Sequence, residues 1–146
     1  MRLRAAALTL ALAVLVATLL LLFGRSGNET TTLRGEWGPL AVVRPSNGVM
    51  EALTTGTLRI TDECVVVLDM AAGDAVLLVW PADRTTWDAG TGTIRLRSLT
   101  GIAVTLRNGA QISLGGGGGI VTEWIAFPAP SCPIEPYWIV GEPAGD

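Results

Sequence analysis

The sequence predicts an all-β fold, a small OB-like β-barrel preceded by one N-terminal transmembrane helix. Three observations predict it. From Trp37 onward, short runs rich in β-branched residues recur between Gly, Pro, Asn and Asp clusters. That region shows no amphipathic helical spacing. Ahead of it, Ala5 to Phe23 is an uninterrupted apolar run. A small sandwich is the second architecture that fits the same pattern of strands.

The chain of 146 residues divides into a signal anchor or transmembrane segment over 1–25, a flexible linker over 26–36, and an extracytoplasmic β domain over 37–146. Residues 5–23 carry no charge and as a helix would span roughly 28 Å, close to the hydrocarbon thickness of a bilayer. Arg2, Arg4 and the free amine outweigh Arg25, which keeps the N-terminus cytoplasmic and puts the C-terminal domain outside the cell membrane. The run is longer than a signal-peptide core, and no small-x-small site follows it. Length therefore favours an uncleaved single-pass anchor over secretion after cleavage. In either case Cys64 and Cys132, the only cysteines, reach an oxidising compartment and are expected to form a disulfide.

In the domain, Pro39 to Arg44 reads as a first strand and Ser46-Asn47-Gly48 as a turn. Val49 to Thr55 is ambiguous and fits a helical turn. In Thr57 to Thr61 the alternation directs Leu58 and Ile60 inward. Cys64 to Asp69 and Ala75 to Trp80 are nearly continuous apolar runs joined by Ala71 to Asp74, a hairpin forming the most buried pair, with Cys64 to Leu68 as the central strand. Pro81 ends the second run because it has no N–H to donate. Ala82 to Gly92 reads as a polar loop. Thr93 to Leu99 turns Ile94 and Leu96 inward and Arg95 and Arg97 outward. Ile102, Val104 and Leu106 are expected inward on the following strand. Asn108-Gly109 is a hairpin signal into Ala110 to Leu114. Gly115 to Gly119 reads as a flexible loop, Val121 to Phe127 as a strand, and Tyr137 to Val140 as a last strand or a docked clasp.

Composition excludes several chemistries. The chain has no histidine, and all ten of its basic side chains are arginine. A Ser-His-Asp triad, a Ser-Lys dyad and a Cys-His pair are therefore impossible. A zinc site would lack its usual ligands, so no metal and no cofactor are expected. From Ser26 on, seven arginines face all 13 acidic residues, and this acidity argues against a nucleic-acid partner. The glycine run lacks the Lys and the helix of a phosphate-binding loop. Asp83 and Asp88 lack the spacing of a calcium loop.

What remains is surface chemistry. Arg59, Arg95, Arg97 and Arg107 would make a basic stripe if they share a face, although scattered arginines more often balance nearby carboxylates. Trp80, Trp87, Trp124 and Trp138 would suit either a core or a stacking platform. Trp87 in the polar loop is the one expected at the surface. The candidate binding surface is thus Trp87, Asp83, Asp88, Arg95 and Arg97, facing an envelope glycan or a protein partner.

Read in order, Gly56-x-Leu58, Cys64-Val65, Leu78-Val79-Trp80-Pro81, Trp87, Ile94-x-Leu96, Leu106-Arg107-Asn108-Gly109, Leu114-Gly115-Gly116-Gly117, Ser131-Cys132-Pro133 and Tyr137-Trp138-Ile139-Val140 form one pattern. In it the chain resembles a group of uncharacterised exported or membrane-anchored actinobacterial proteins. The resemblance runs from Gly56 to Val140 and implies a disulfide-linked β domain with no catalytic residues to carry over.

The functional expectation is a non-catalytic cell-envelope protein whose β domain binds a ligand or partner. The alternatives are a wall-glycan hydrolase using carboxylates alone, with Asp62, Glu63, Asp83, Asp88 and Glu123 as candidates by elimination, or a structural and assembly subunit of a membrane complex.

Overall fold

A computed structural model describes residues 35–45, 52–69 and 73–144. The expected membrane span over 5–23, the turn at 46–48 and the hairpin residues 71 and 72 lie outside the described residues. So does the linker, apart from residues 35 and 36, which are helical. Among the described residues no helix is long and apolar enough to cross a membrane.

The domain is all-β. Its strands are β1 (Ala41–Val43), β2 (Ala52–Ile60), β3 (Val65–Asp69), β4 (Ala75–Pro81), β5 (Thr85–Asp88), β6 (Thr93–Arg97), β7 (Ala103–Leu106), β8 (Gln111–Gly117), β9 (Trp124–Ala126) and β10 (Tyr137–Pro143). A seven-stranded sheet has the order β10-β8-β2-β3-β4-β1-β9, and a separate three-stranded sheet has the order β5-β6-β7. Strand β10 also pairs in parallel with β4, setting Ile139 beside Val79. That second pairing joins β2, β3, β4, β10 and β8 into a ring in which each strand has a neighbour on both edges.

The apolar runs at β3 and β4 follow from burial on both faces. One face, with Val65, Val67, Leu78 and Trp80, points into the ring and meets Leu58, Leu114 and Val140. The other, with Val66, Leu77 and Val79, lies against Ala41, Val43, Ala129 and Cys132. Leu77, Leu78, Val79 and Trp80 are each no more than 1% exposed. Burial of a side chain this size contributes about 1.5–3 kcal/mol, so this strand pair dominates the packing.

The disulfide Cys64–Cys132 forms as expected, with a Cα–Cα distance of 5.7 Å. It fastens the proline-rich segment after β9 to the residue ahead of β3. That segment is also held where the Pro136 carbonyl accepts the Leu77 N–H at 3.0 Å and where the Ser131 hydroxyl donates to the Glu63 carboxylate.

Several local expectations are corrected. Residues 49–55 do not form a helical turn where they are described, because β2 runs unbroken from Ala52, paired with β8 from Ala52 to Thr57. The loop expected over 82–92 contains β5, paired in register with β6. Ile102 is exposed, since it precedes β7 in the turn after β6. Asn108-Gly109 turns the chain but makes no hairpin: β7 pairs with β6, and β8 pairs with β2 and β10. Only Gly109 has positive φ, at 80°, as a type II turn requires and a type I′ turn does not. The turn is instead attached to β2. Asn108 Oδ1 accepts the Ile60 N–H at 2.8 Å, and the Gly109 N–H donates to the Leu58 carbonyl at 2.8 Å.

The glycine run is only partly a loop, because Gly115, Gly116 and Gly117 are the end of β8. Gly116 has φ of 151°, and a Cβ there would strike the Ile139 carbonyl oxygen and lie 2.7 Å from Trp138 Nε1. The absence of side chains lets β10 close against β8.

Two stability measurements follow. Replacing both cysteines with alanine frees a loop with a sequence separation of 68 and should lower unfolding stability in urea by about 4 kcal/mol. A loss below about 1 kcal/mol would mean that strand pairing alone holds the segment. Gly116→Ala should cost about 3 kcal/mol or more, whereas Gly118→Ala, with open space around its Cβ position, should be nearly neutral.

Candidate functional site

The residues expected to bind, Asp83 apart, fall on the three-stranded sheet, and alternation sorts them by face. Thr85, Trp87, Ile94, Leu96, Val104 and Leu106 face the ring, with Ile94 and Leu96 fully buried in its core cluster. Thr86, Asp88, Arg95, Arg97, Ala103 and Thr105 face away and are exposed. The register places Arg95 between Thr86 and Thr105, and Arg97 beside Ala103.

The structure therefore brings Asp88, Arg95 and Arg97 onto one outer face and puts Trp87 on the opposite one. Trp87 is half-buried against the core, and its indole covers Gly38 so closely that a Cβ on Gly38 would collide with it. Asp83 lies in the turn before β5. Of the expected basic stripe, Arg95, Arg97 and Arg107 belong to this sheet and the turn after it, while Arg59 is on β2 of the other sheet.

The two aspartates act locally. Asp88 Oδ1 accepts N–H groups from Gly90 at 2.9 Å and Thr91 at 3.1 Å, closing the β5–β6 connection. Hydrogen bonding by the Thr91 side chain and then by these backbone groups holds the Asp88 carboxyl below the ordinary aspartate value of 3.8. Asp83 lies 3.6 Å from Arg84 Nε, and Glu142 of β10 lies 3.8 Å from Arg84 Nη1. Arg84 is mostly covered, with 15% of its side chain exposed. Glu142 also accepts the Leu99 N–H at 2.8 Å, so one carboxylate ties the β6–β7 turn to the ring.

The remaining carboxylates do not converge. Glu63 accepts from Ser131, and Glu123 pairs with the exposed Arg44 at 3.4 Å. Among the described residues no group of three acidic or sulfur side chains is placed to hold a metal ion.

A groove of about 520 Å³ lies between β7 and the ring. Val104 and Leu106 form one wall, and Ile112, Leu114 and Pro143 are among the residues of the other. It exists because the small sheet packs tightly at β6 and less so at β7, where Val104 and Leu106 are only half-buried.

No family model, no curated protein and no solved structure matches the chain. The site thus rests on its own geometry. The outward arginines are legible in the sequence, and the groove is not. Its one sequence signal is the weak alternation of Val104 and Leu106, and its other wall combines β8, the next strand in the chain, with β2 and β10, which are distant along it.

The Asp88 hydrogen bonds predict a pH effect. Their contribution to folding is present above the unfolded aspartate pKa and is lost as pH falls through the lower folded value. In a carboxyl-detected NMR titration, Asp88 should titrate below 3.8, and Thr91→Ala should move it back upward. An unchanged midpoint in the variant would remove Thr91 as the cause.

Proposed function

We propose that this chain is a non-catalytic cell-envelope protein: an N-terminal anchor over 5–23, cytoplasmic at its start, carrying an exported OB-like β-barrel that binds a partner. The observation that carries the reading is the Cys64–Cys132 disulfide in a chain that also carries an uninterrupted apolar segment over 5–23. The OB-like reading draws on the ring. Its five strands, taken in chain order, neighbour one another as first-second-third-fifth-fourth, with the third and fifth parallel. The resemblance to exported actinobacterial proteins belongs to the same reading.

OB-type barrels use the outer face of their second and third strands for nucleic acids and oligosaccharides. Here those strands are β3 and β4, and on their outer face Val66, Leu77 and Val79 pack with Ala129 and Cys132 of the disulfide-fastened segment, beside Ala41 and Val43 of the neighbouring β1. The chain's own residues occupy that surface, and the acidic domain disfavours a polyanion. This moves partner binding to the three-stranded sheet inserted between β4 and β8.

Protease added to intact cells expressing the full chain tests the reading. Digestion should remove the β domain, and mass spectrometry under non-reducing conditions should recover a Cys64–Cys132 peptide from a protein that still begins at Met1. A protected domain with free thiols would place it in the cytoplasm and overturn the proposal.

A further inference from the structure

Strand β7 is bonded on one side only among the described residues, to β6. Its direction of bonding can be read from the turn before it. The Ser98 N–H donates to the Ile102 carbonyl at 2.7 Å, so the main-chain groups of Ile102, Val104 and Leu106 point toward β6. Those of Ala103 and Thr105 point to the free edge.

Free edges in natural sheets are normally guarded by charge, proline, a bulge or shortness. The other edges here follow that rule. The β5 edge carries Asp88 and its turn, and β9 is three residues long with Pro128 close behind. Strand β7 reads Ala-Val-Thr-Leu and keeps continuous register with β6. The exposed Ile102 leads into it. Under its inner face is the apolar groove. On the outer face of the sheet Arg95 and Arg97 lie with Asp88, the one carboxylate there among the described residues, and the exposed Arg107 follows in the turn after β7, in an otherwise acidic domain.

We infer that the β7 edge binds an extended peptide strand of a partner protein, with alternate residues apolar and acidic. The inference deepens the proposed function and rests on its binding reading. The added strand would pair with the outward N–H and C=O groups of Ala103 and Thr105, its apolar residues entering the groove beside Val104 and Leu106. Its acidic residues would lie on the outer face next to Arg107. The small Ala103 and Thr105 leave Arg95 and Arg97 open one strand further, about 10 Å away and within reach of a glutamate–arginine pair. Charge complementarity selects this occupant over a second copy, since two β7 edges brought together would add arginine to arginine.

The test is selection from a random-peptide library on the purified full chain. Enriched peptides should alternate apolar and acidic residues. Thr105→Pro removes an outward donor and no β6–β7 bond, and should weaken the selected peptides about tenfold or more. Arg95→Glu combined with Arg97→Glu should weaken them similarly, and it keeps the test valid if the proline variant does not fold. No enrichment, or enriched peptides that bind both variants as they bind the parent, would overturn the inference. A dimer seen in sedimentation and lost in Thr105→Pro would make the occupant a second copy and overturn it as well. Failure here leaves export intact, because that is read by protease accessibility. A domain protected from protease yet binding the peptides would sink export and spare the edge.

Discussion

The domain depends on two adjacent strands, β3 and β4, that are buried on both faces. A strand of that kind has to be covered twice. The ring supplies the inner cover by closing on itself, so Leu78 and Trp80 meet Leu58, Leu114 and Val140. The outer cover has to come from elsewhere in the chain. It comes from the proline-rich segment around Ala129 and Cys132, with Ala41 and Val43 of the neighbouring β1 in the same cluster. Prolines suit that segment because it lies over a sheet rather than within one, and needs few N–H donors. The disulfide holds it where hydrogen bonds alone are sparse.

Closure of the ring places a second demand on the chain. Strand β10 must approach β8 and β4 together, and side chains on β8 would obstruct it. Gly115 to Gly117 meet that demand. A run of glycines suggests a flexible loop when read alone, since glycine costs more order than any other residue. In contact with Ile139 and Trp138, Gly116 becomes a site of close backbone approach. The covering of β3 and β4 and the closure by β10 together leave β7 of the inserted three-stranded sheet as an unguarded free edge among the described residues.

The outward positions of Arg95 and Arg97 were legible because β6 alternates strictly, with Ile94 and Leu96 between them. The half-burial of Trp87 is hidden in the sequence for the opposite reason. The residue stands in a stretch rich in Asp, Thr and Gly, which looks like a polar loop. The deciding contact, its indole over Gly38, joins residues with no local relation in sequence. Asp88 was a binding candidate and proves to close a turn, a role its spacing to Gly90 and Thr91 permits but does not require.

By itself the sequence determined the all-β class, most strand positions, the inward and outward residues wherever alternation is strict, and the pairing of two lone cysteines. These are local or forced properties: a two-residue period reports its own facing, and two thiols have one way to pair. The tertiary structure alone decided which strands are neighbours. Asn108-Gly109 joins two sheets rather than two strands of one hairpin, and β10 closes the ring by lying beside β4 and β8 at once. Such choices depend on main-chain bonds and packing between residues far apart in the chain, where β10 fits only because Gly116 has no side chain. The groove beside β7 arises in the same way, because its two walls meet only after the chain has folded.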